Sequence, residues 1–232
     1  GKEKIEECIR LFKKYDIDNI SLDLMLGVPF QTRESLTESL DFLVSSGIKH
    51  ISAYMLKIEE ETPFYSLQHS LSLPDEDEVC DMYLQTVDFL KSKGFLQYEI
   101  SNFSEKGYES RHNLKYWSCE EYLGIGPSAH SFLHGKRFYF PRNFDFFLKN
   151  PTPIPDGEGG SEEEYIMLAL RLSEGLQNKK YKERFNKDVE KRIFEKARYF
   201  ENKGLLTVNE DSIALNEKGF LLSNSIISQL ID

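Results

Sequence analysis

The sequence predicts an α/β fold followed by a small α+β domain of winged-helix-like type. Three observations carry this. Up to about residue 102, stretches with an apolar repeat of 3.6 alternate with short apolar or period-2 runs. Residues 150–160 concentrate proline and glycine. Residues 161–232 read as helices, a hairpin and a last helix. Helix then strand, repeated with short connections, predicts parallel strands joined by right-handed crossovers.

Each element follows from local pattern. Ile5, Ile9 and Phe12 stripe a first helix, and NISLDLMLG (19–27) follows as a buried strand. Leu36, Leu40, Leu43 and Val44 line one face of a helix that stops at Gly47, and HISAYMLKI (50–58) is the next strand. After the Thr62-Pro63 turn, Asp75 with Glu78 three residues on forms a capping box. The third helix so opened is striped by Val79, Met82, Tyr83, Thr86, Phe89 and Leu90, ends at Gly94, and leads to a third strand, FLQYEIS (95–101).

Between 102 and 160 regularity falls and aromatic residues accumulate, as in segments that carry chemistry. RHNLKYW (111–117) reads as a loop, and YLGIG (122–126) as a short strand running into a Gly/Pro/Ser turn. NPTPIPDGEGG (150–160) is the expected linker, which divides the chain into 1–150, a linker at 151–160, and 161–232. Ser161 and Glu164 open a further helix through a second capping box. Val189, Ile193, Ala197 and Phe200 then stripe a long helix that Gly204 ends. LLTV and SIAL flank NEDS as a hairpin, and a last helix runs from about Glu217 to Leu230.

Composition narrows the classes. The 232 residues are 40% hydrophobic and 29% charged, as in a folded chain, and the net charge of −10 repels a phosphate backbone. Lys and Arg cluster at 179–203 but are interleaved with Glu and Asp, which predicts a self-paired, solvated helix surface rather than a nucleic-acid site. No apolar run approaches the ~20 residues of a membrane span, and the charged amphipathic N-terminus is no signal sequence, so a cytoplasmic location is expected. Cys8, Cys80 and Cys119 are too far apart for a disulfide framework or a closely spaced metal motif.

Polar groups at the ends of parallel strands point into the crevice where α/β proteins bind ligands. Asp23, between Leu22 and Leu24, is either a capped or ion-paired carboxylate or one that binds a hydroxyl such as a ribose. Tyr54, Tyr98 and Glu99 interrupt aliphatic runs on successive strands, which fits collection by one cavity. In LGIGPSAHSF (123–132), Gly124, Gly126 and Ala129 follow a strand where missing side chains would let a ligand approach the backbone. Neither a P-loop nor a dinucleotide fingerprint is present. In RHNLKYW, His112 could ligate iron, Arg111 could pair with a propionate, and Tyr116 and Trp117 could stack on a macrocycle. The same residues also fit a loop pinned by Trp117 with His112 merely hydrogen-bonded. His130 is a second imidazole nearby in sequence, while His50, His69 and His134 sit in contexts of a strand start or surface.

LDLMLGVPFQT, ISAYMLKIEEETPF, QYEISNFSEKGYESRHNLKYW and EYLGIGPSAHSF, in this order, resemble blocks of the HemW-type branch of the radical S-adenosylmethionine proteins, a group of haem chaperones and oxygen-independent coproporphyrinogen III oxidase-like proteins. The resemblance implies that residues 1–150 are the C-terminal portion of a partial (β/α) barrel of TIM-barrel type, and that 161–232 are the HemN-type C-terminal domain. That family begins with a C-x-x-x-C-x-x-C loop whose thiolates bind a 4Fe-4S cluster. No such motif occurs here, so the resemblance implies a chain lacking the cluster loop and first strands, with no metal ligands for the cluster and no activity by itself. It assigns Asp23 to the cofactor ribose, and Ala53, Tyr54, Gly124, Gly126, Ala129 and His130 to the adenosyl moiety of S-adenosylmethionine. It makes His112 a haem-iron ligand or haem contact, with Arg111, Tyr116 and Trp117 beside it. SEKG (104–107) departs from the Ala-Lys-Pro-Gly frequent in relatives, which touches only the loop conformation.

The function so implied is a haem chaperone that binds haem, a 4Fe-4S cluster and S-adenosylmethionine, and delivers haem to apo-proteins. The alternatives are a coproporphyrinogen III oxidase acting by radical oxidative decarboxylation, or a winged-helix module for protein docking or nucleic-acid binding. Haem or porphyrin and haem-receiving apo-proteins are the expected partners, without nucleic acid or a membrane span; peripheral membrane contact stays open.

Overall fold

The structure is a computed structural model that describes residues 1–60 and 62–232 together with their side chains, that of His69 excepted. The surface reading of His69 therefore lies outside the described residues. The chain divides into two compact units, residues 1–109 and 110–232.

The first unit runs α1 (Lys2–Lys14), β1 (Ser21–Leu26), α2 (Arg33–Ser45), β2 (His50–Met55), α3 (Pro63–Leu67), a 3-10 turn (Gln68–Ser70), α4 (Glu76–Ser92), β3 (Leu96–Glu99) and β4 (Asn102–Ser104). β1 and β2 are parallel, in register from Ser21 with His50 to Leu26 with Met55. The expected third strand instead turns at Ile100–Ser101, and β4 runs back between β2 and β3, giving the order β1-β2-β4-β3. A two-residue turn is too short for a parallel crossover, so the sheet is mixed rather than all-parallel. β3 nevertheless keeps the direction of β1 and β2.

One sheet face makes the core of this unit. Leu24, Leu26, Ile51, Ala53 and Phe103 are buried, and α2 and α4 pack on this sheet with Leu36, Leu40, Leu43, Met82, Tyr83, Val87 and Leu90. The Asp75–Glu78 capping box opens α4 as expected, and Thr32 with Ser35 forms another at α2. β1 is buried on one face only: Ser21, Asp23 and Met25 alternate with the buried leucines and are exposed, a correction to the reading of 19–27 as a buried strand. Of the α1 stripe only Ile9 is buried.

The second unit contains α5 (Arg111–Trp117), β5 (His130–Leu133), β6 (Lys136–Tyr139), α6 (Phe144–Lys149), β7 (Ile154–Glu158), α7 (Glu162–Ala169), β8 (Leu176–Gln177), α8 (Asn178–Phe185), α9 (Lys191–Glu201), β9 (Leu206–Val208), β10 (Ser212–Leu215), α10 (Glu217–Leu221) and α11 (Ser223–Ile231). β5-β6-β7 form one antiparallel sheet and β8-β10-β9 another. The hairpin of β9 and β10 lies where LLTV and SIAL predict it.

Four expectations here are corrected. RHNLKYW is a helix, because the Ser110 hydroxyl accepts from Asn113 N and caps it. In YLGIG only Tyr122 pairs, as an isolated bridge with Phe132. The segment expected as a linker holds β7, whose prolines are tolerated because it is an edge strand. The last helix breaks at Leu222, where Asn216 caps α10 and α11 starts afresh.

Candidate functional site

The candidate residues fall into two groups, one in each unit. In the first unit, register pairing puts Ser21, Asp23 and Met25 of β1 on one face with His50, Ser52 and Tyr54 of β2, the face opposite the helices. β4 adds Ser104 and Asn102 across from His50 and Ser52. His50 is 6% exposed, with its Nδ1 2.7 Å from the Ser21 hydroxyl and its Nε2 2.9 Å from the Tyr98 hydroxyl. Burial lowers the His50 pKa, while the negative charge of Asp23 pulls it upward. The imidazole is therefore neutral at pH 7, able to give and accept one hydrogen bond each. Glu99, fully buried, accepts from Asn102 Nδ2 and from Ser101 N, and Asn102 Oδ1 is buried with no partner among the described residues.

Of the predicted first-unit residues, Asp23 and Tyr54 share this face and are exposed, whereas the Ala53 side chain is buried on the helix side and its N–H bonds Ser101 O at 2.7 Å. The reading that Asp23 sits in a buried strand is thus corrected, since its side chain emerges on the open face. A largely apolar cavity of about 550 Å³ borders Asp23 together with Ile5, Leu22, Leu24, Phe42 and Leu43. His50 was legible as a strand start, but its burial was missed. The alternation of polar residues in both SLDLML and HISAYM was the signal that could have found it.

At the C-terminal end of β1, Gly27 at φ +78° lies so close to α4 that an added Cβ would stand 2.9 Å from Val79 Cγ2. The Gln31 side chain folds back over this turn. Its Oε1 accepts from Gly27 N at 2.6 Å and Val28 N at 3.3 Å, and its Nε2 donates to Met25 O at 3.2 Å. Phe30 N donates to Ser72 O at 2.8 Å, and Phe30 is held at φ +63°. A left-handed backbone at a bulky residue costs about 1–3 kcal/mol.

In the second unit, the i, i+4 spacing of α5 stacks His112 and Tyr116 edge to face, with centroids 4.9 Å apart, and Tyr116 meets Tyr122 at 4.5 Å. His112, Arg111 and Tyr116 are exposed. Trp117 is half-buried, with the Arg171 guanidinium 5.9 Å above its ring. Tyr122 continues the array inward, for its hydroxyl accepts from Arg137 Nη1 at 3.3 Å. Arg137 Nη2 donates to Glu164 of α7, whose other oxygen accepts from Gly160 N at 2.6 Å. The RHNLKYW block is therefore split: His112 and Tyr116 are exposed and stack on each other, while Trp117 is half-buried beneath Arg171.

The bend at 124–130 has its own internal reasons. A Cβ on Gly124 would fall 2.2 Å from the His130 carbonyl oxygen, and Gly126 sits at φ +110°. The close approach at Gly124 is thus made by the chain itself. His130 stacks on Tyr139, with centroids 5.1 Å apart, and its Nδ1 lies 3.6 Å from Asp156 of β7. Ala129 is half-buried and donates no hydrogen bond outward: its N–H bonds Gly126 O at 3.2 Å.

Cysteine chemistry does not assemble here. Cys8 is exposed on α1, Cys80 half-buried on α4 and Cys119 buried, its thiol pKa pushed up by burial and by Glu164. Among the described residues no three His, Cys, Asp or Glu side chains converge to hold a metal, so these residues do not fit a 4Fe-4S cluster.

The chain thus joins a mixed α/β unit to a second unit of helices and two three-stranded antiparallel sheets, an arrangement of the HemN-like class by the comparisons that follow. Residues 163–222 match the family model of the HemN C-terminal domain. The fold is that of a solved structure, the coproporphyrinogen III oxidase HemN from Escherichia coli, described as a radical SAM enzyme: the TM-score is 0.76 at 17% identity, over 99% of this chain and 58% of that one. The haem chaperone HemW of Bacillus subtilis is 32% identical over 229 residues, 94% of this chain and 60% of that protein. HemW of Lactococcus lactis is 32% identical over 236 residues, 98% of this chain and 62% of its own length. A mouse protein, radical S-adenosyl methionine domain-containing protein 1, mitochondrial, is 42% identical over 153 residues, 65% of this chain and 30% of its own length. The chain is a homologue of the HemW haem chaperones and spans about 60% of the length of these bacterial relatives.

Proposed function

We propose that this chain is the part of a haem chaperone that presents a haem-contacting imidazole, His112, and that the whole protein delivers haem to apo-proteins. The observation that carries the reading is the exposed pair His112 and Tyr116 on one face of α5, in a homologue of the HemW haem chaperones. A neutral imidazole is a haem-iron ligand, the Tyr116 ring offers an apolar flank, and Arg111 at the start of α5 can pair with a propionate. Trp117 acts through packing, half-buried beneath the Arg171 guanidinium.

Within the same reading, residues 1–150 are a portion of a radical-SAM barrel and 161–232 a winged-helix-like domain. In this reading Asp23 and Tyr54, which share one face of β1 and β2, face the adenosyl group of S-adenosylmethionine. The 4Fe-4S cluster of such proteins needs ligands other than Cys8, Cys80 and Cys119. The location is cytoplasmic; among the described residues no helix is long and apolar enough to cross a membrane.

Titration with haemin, followed at the Soret band, tests the proposal. The wild-type chain should bind with a defined stoichiometry, and His112→Ala should bind at least tenfold more weakly with an unchanged melting temperature, since His112 is exposed. Equal uptake by both proteins removes His112 from the site.

A further inference from the structure

We infer that Tyr122 is a positioning residue for the His112 imidazole: through Tyr116 its ring fixes where that imidazole stands, an inference that rests on the haem reading above. α5 does not do this alone. It has seven residues, none of them buried, and a helix so short is not stable by itself. The side chain that meets His112 is Tyr116, edge to face with centroids 4.9 Å apart, and Tyr116 in turn meets Tyr122 at 4.5 Å and 72°.

Tyr122 is the fixed end of this array. It is half-buried between the exposed Glu121 and Leu123, and its backbone forms an isolated bridge: its N–H donates to Phe132 O at 2.8 Å and its carbonyl accepts from Phe132 N at 2.9 Å. Phe132 is itself buried, with the Arg137 guanidinium 4.8 Å from its ring centroid. A bridge one residue long needs no aromatic side chain. Nor is the hydroxyl the reason for a tyrosine, since its bond from Arg137 is long at 3.3 Å and Arg137 already has Glu164 as a charged partner. What the bridge places is a flat ring against Tyr116. Edge-to-face pairs hold an angle as well as a distance, so the orientation set at Tyr122 passes along the i, i+4 spacing to His112. An imidazole held before its ligand arrives loses less freedom on binding, and immobilising one side chain is worth about three- to tenfold in affinity.

The test compares wild type with Tyr122→Leu, which keeps the bridge and removes the ring, and Tyr122→Phe, which keeps the ring. In the ligand-free chain, nuclear Overhauser contacts between the ring protons of His112 and Tyr116 read the position of the imidazole. Haemin affinity is read from the Soret band and stability from thermal melting. Tyr122→Leu should lose most of the Overhauser intensity and bind haemin about three- to tenfold more weakly, and Tyr122→Phe should restore both.

Overhauser contacts that persist in Tyr122→Leu, or unchanged haemin affinity there, overturn the inference. If Tyr122→Leu does not melt cooperatively, Tyr122→Met, which fills the space without a flat ring, replaces it; failure of both to fold makes the ring a folding residue and overturns the inference too. His112→Ala separates the two claims. Wild-type affinity in that variant, or a wild type that binds no haemin, removes the ligation reading and this inference with it, whereas weak binding by His112→Ala beside full binding by Tyr122→Leu removes the positioning residue alone.

Discussion

Acidification should destabilise the first unit through His50. The imidazole is almost wholly buried between Ser21 and Tyr98, and burial holds its pKa below the ordinary value of about 6.5, against the opposing pull of Asp23. Below pH 6.5 the unfolded chain binds the proton that the folded imidazole resists, so stability falls as pH drops and levels off once the folded imidazole itself protonates. For one such group the ceiling at pH 5.5 is RT ln 11, about 1.4 kcal/mol, or roughly 3–8 °C in melting temperature for a unit of this size. Thermal melts from pH 7.5 to 5.5 should show a steeper loss in wild type than in His50→Gln, which has no titrating ring. In proton NMR, Asp23→Asn should lower the His50 midpoint further. Equal slopes in wild type and His50→Gln, or a midpoint at or above 6.5, would refute the desolvation argument.

Two further outcomes follow from the second unit. Glu164→Gln should destabilise it by about 1.5–3 kcal/mol in chemical denaturation, because it removes the charge from the Arg137 bond and leaves a half-buried guanidinium without its counter-ion; it should also weaken haemin binding slightly, through Tyr122 and Tyr116. Gly124→Ala should cost more than about 2 kcal/mol, since its Cβ would meet the His130 carbonyl at 2.2 Å and backbone must shift, whereas Gly126→Ala should cost only the strain of its φ; equal melts for the two variants would contradict this ranking.

The parts of the fold that were legible share one property: their signals are local. The Asp75–Glu78 capping box, the α2 stripe of Leu36, Leu40 and Leu43, and the hairpin around NEDS are each fixed by residues within a few positions of one another. What the sequence concealed depends on distant pairing. β4 is three residues long and exists because β2 offers it an edge, and β7 forms in spite of two prolines, Pro153 at its threshold and Pro155 within it, because β6 pairs with it. Three-residue strands carry too little period-2 pattern to be read alone. The helix at 111–117 was hidden for another reason, since its aromatic and polar composition has weak helix propensity and a serine cap decides it. Among the candidate residues, Asp23 and Tyr54 stand out in the sequence because they interrupt aliphatic strands. His50 was passed over because its burial shows only when the alternation of HISAYM is set beside that of SLDLML, not at the histidine itself.

The same comparison separates two kinds of sheet face in the first unit. On the side of α2 and α4 every local preference agrees with the fold: β-branched and aliphatic side chains alternate inward, caps are complete, and no polar group is stranded. On the opposite side the preferences conflict. A histidine is desolvated, Asn102 Oδ1 is buried without a partner among the described residues, and a carboxylate and a tyrosine stand exposed on a parallel strand pair. At the strand ends beside them a phenylalanine is held in a left-handed backbone. Unsatisfied acceptors and strained residues each cost about 1–3 kcal/mol, a considerable share of the 5–15 kcal/mol by which a domain is stable. Left-handed non-glycine residues also stand elsewhere, at Asp16, Cys119, Ser128, His134 and Asn186, so backbone strain marks no single region, whereas the desolvated histidine and the unpartnered Asn102 oxygen share the polar face of the same strands. The polar face is therefore the one on which burial and local preference disagree in the first unit, and substitutions there, His50→Gln foremost, test what folding itself requires.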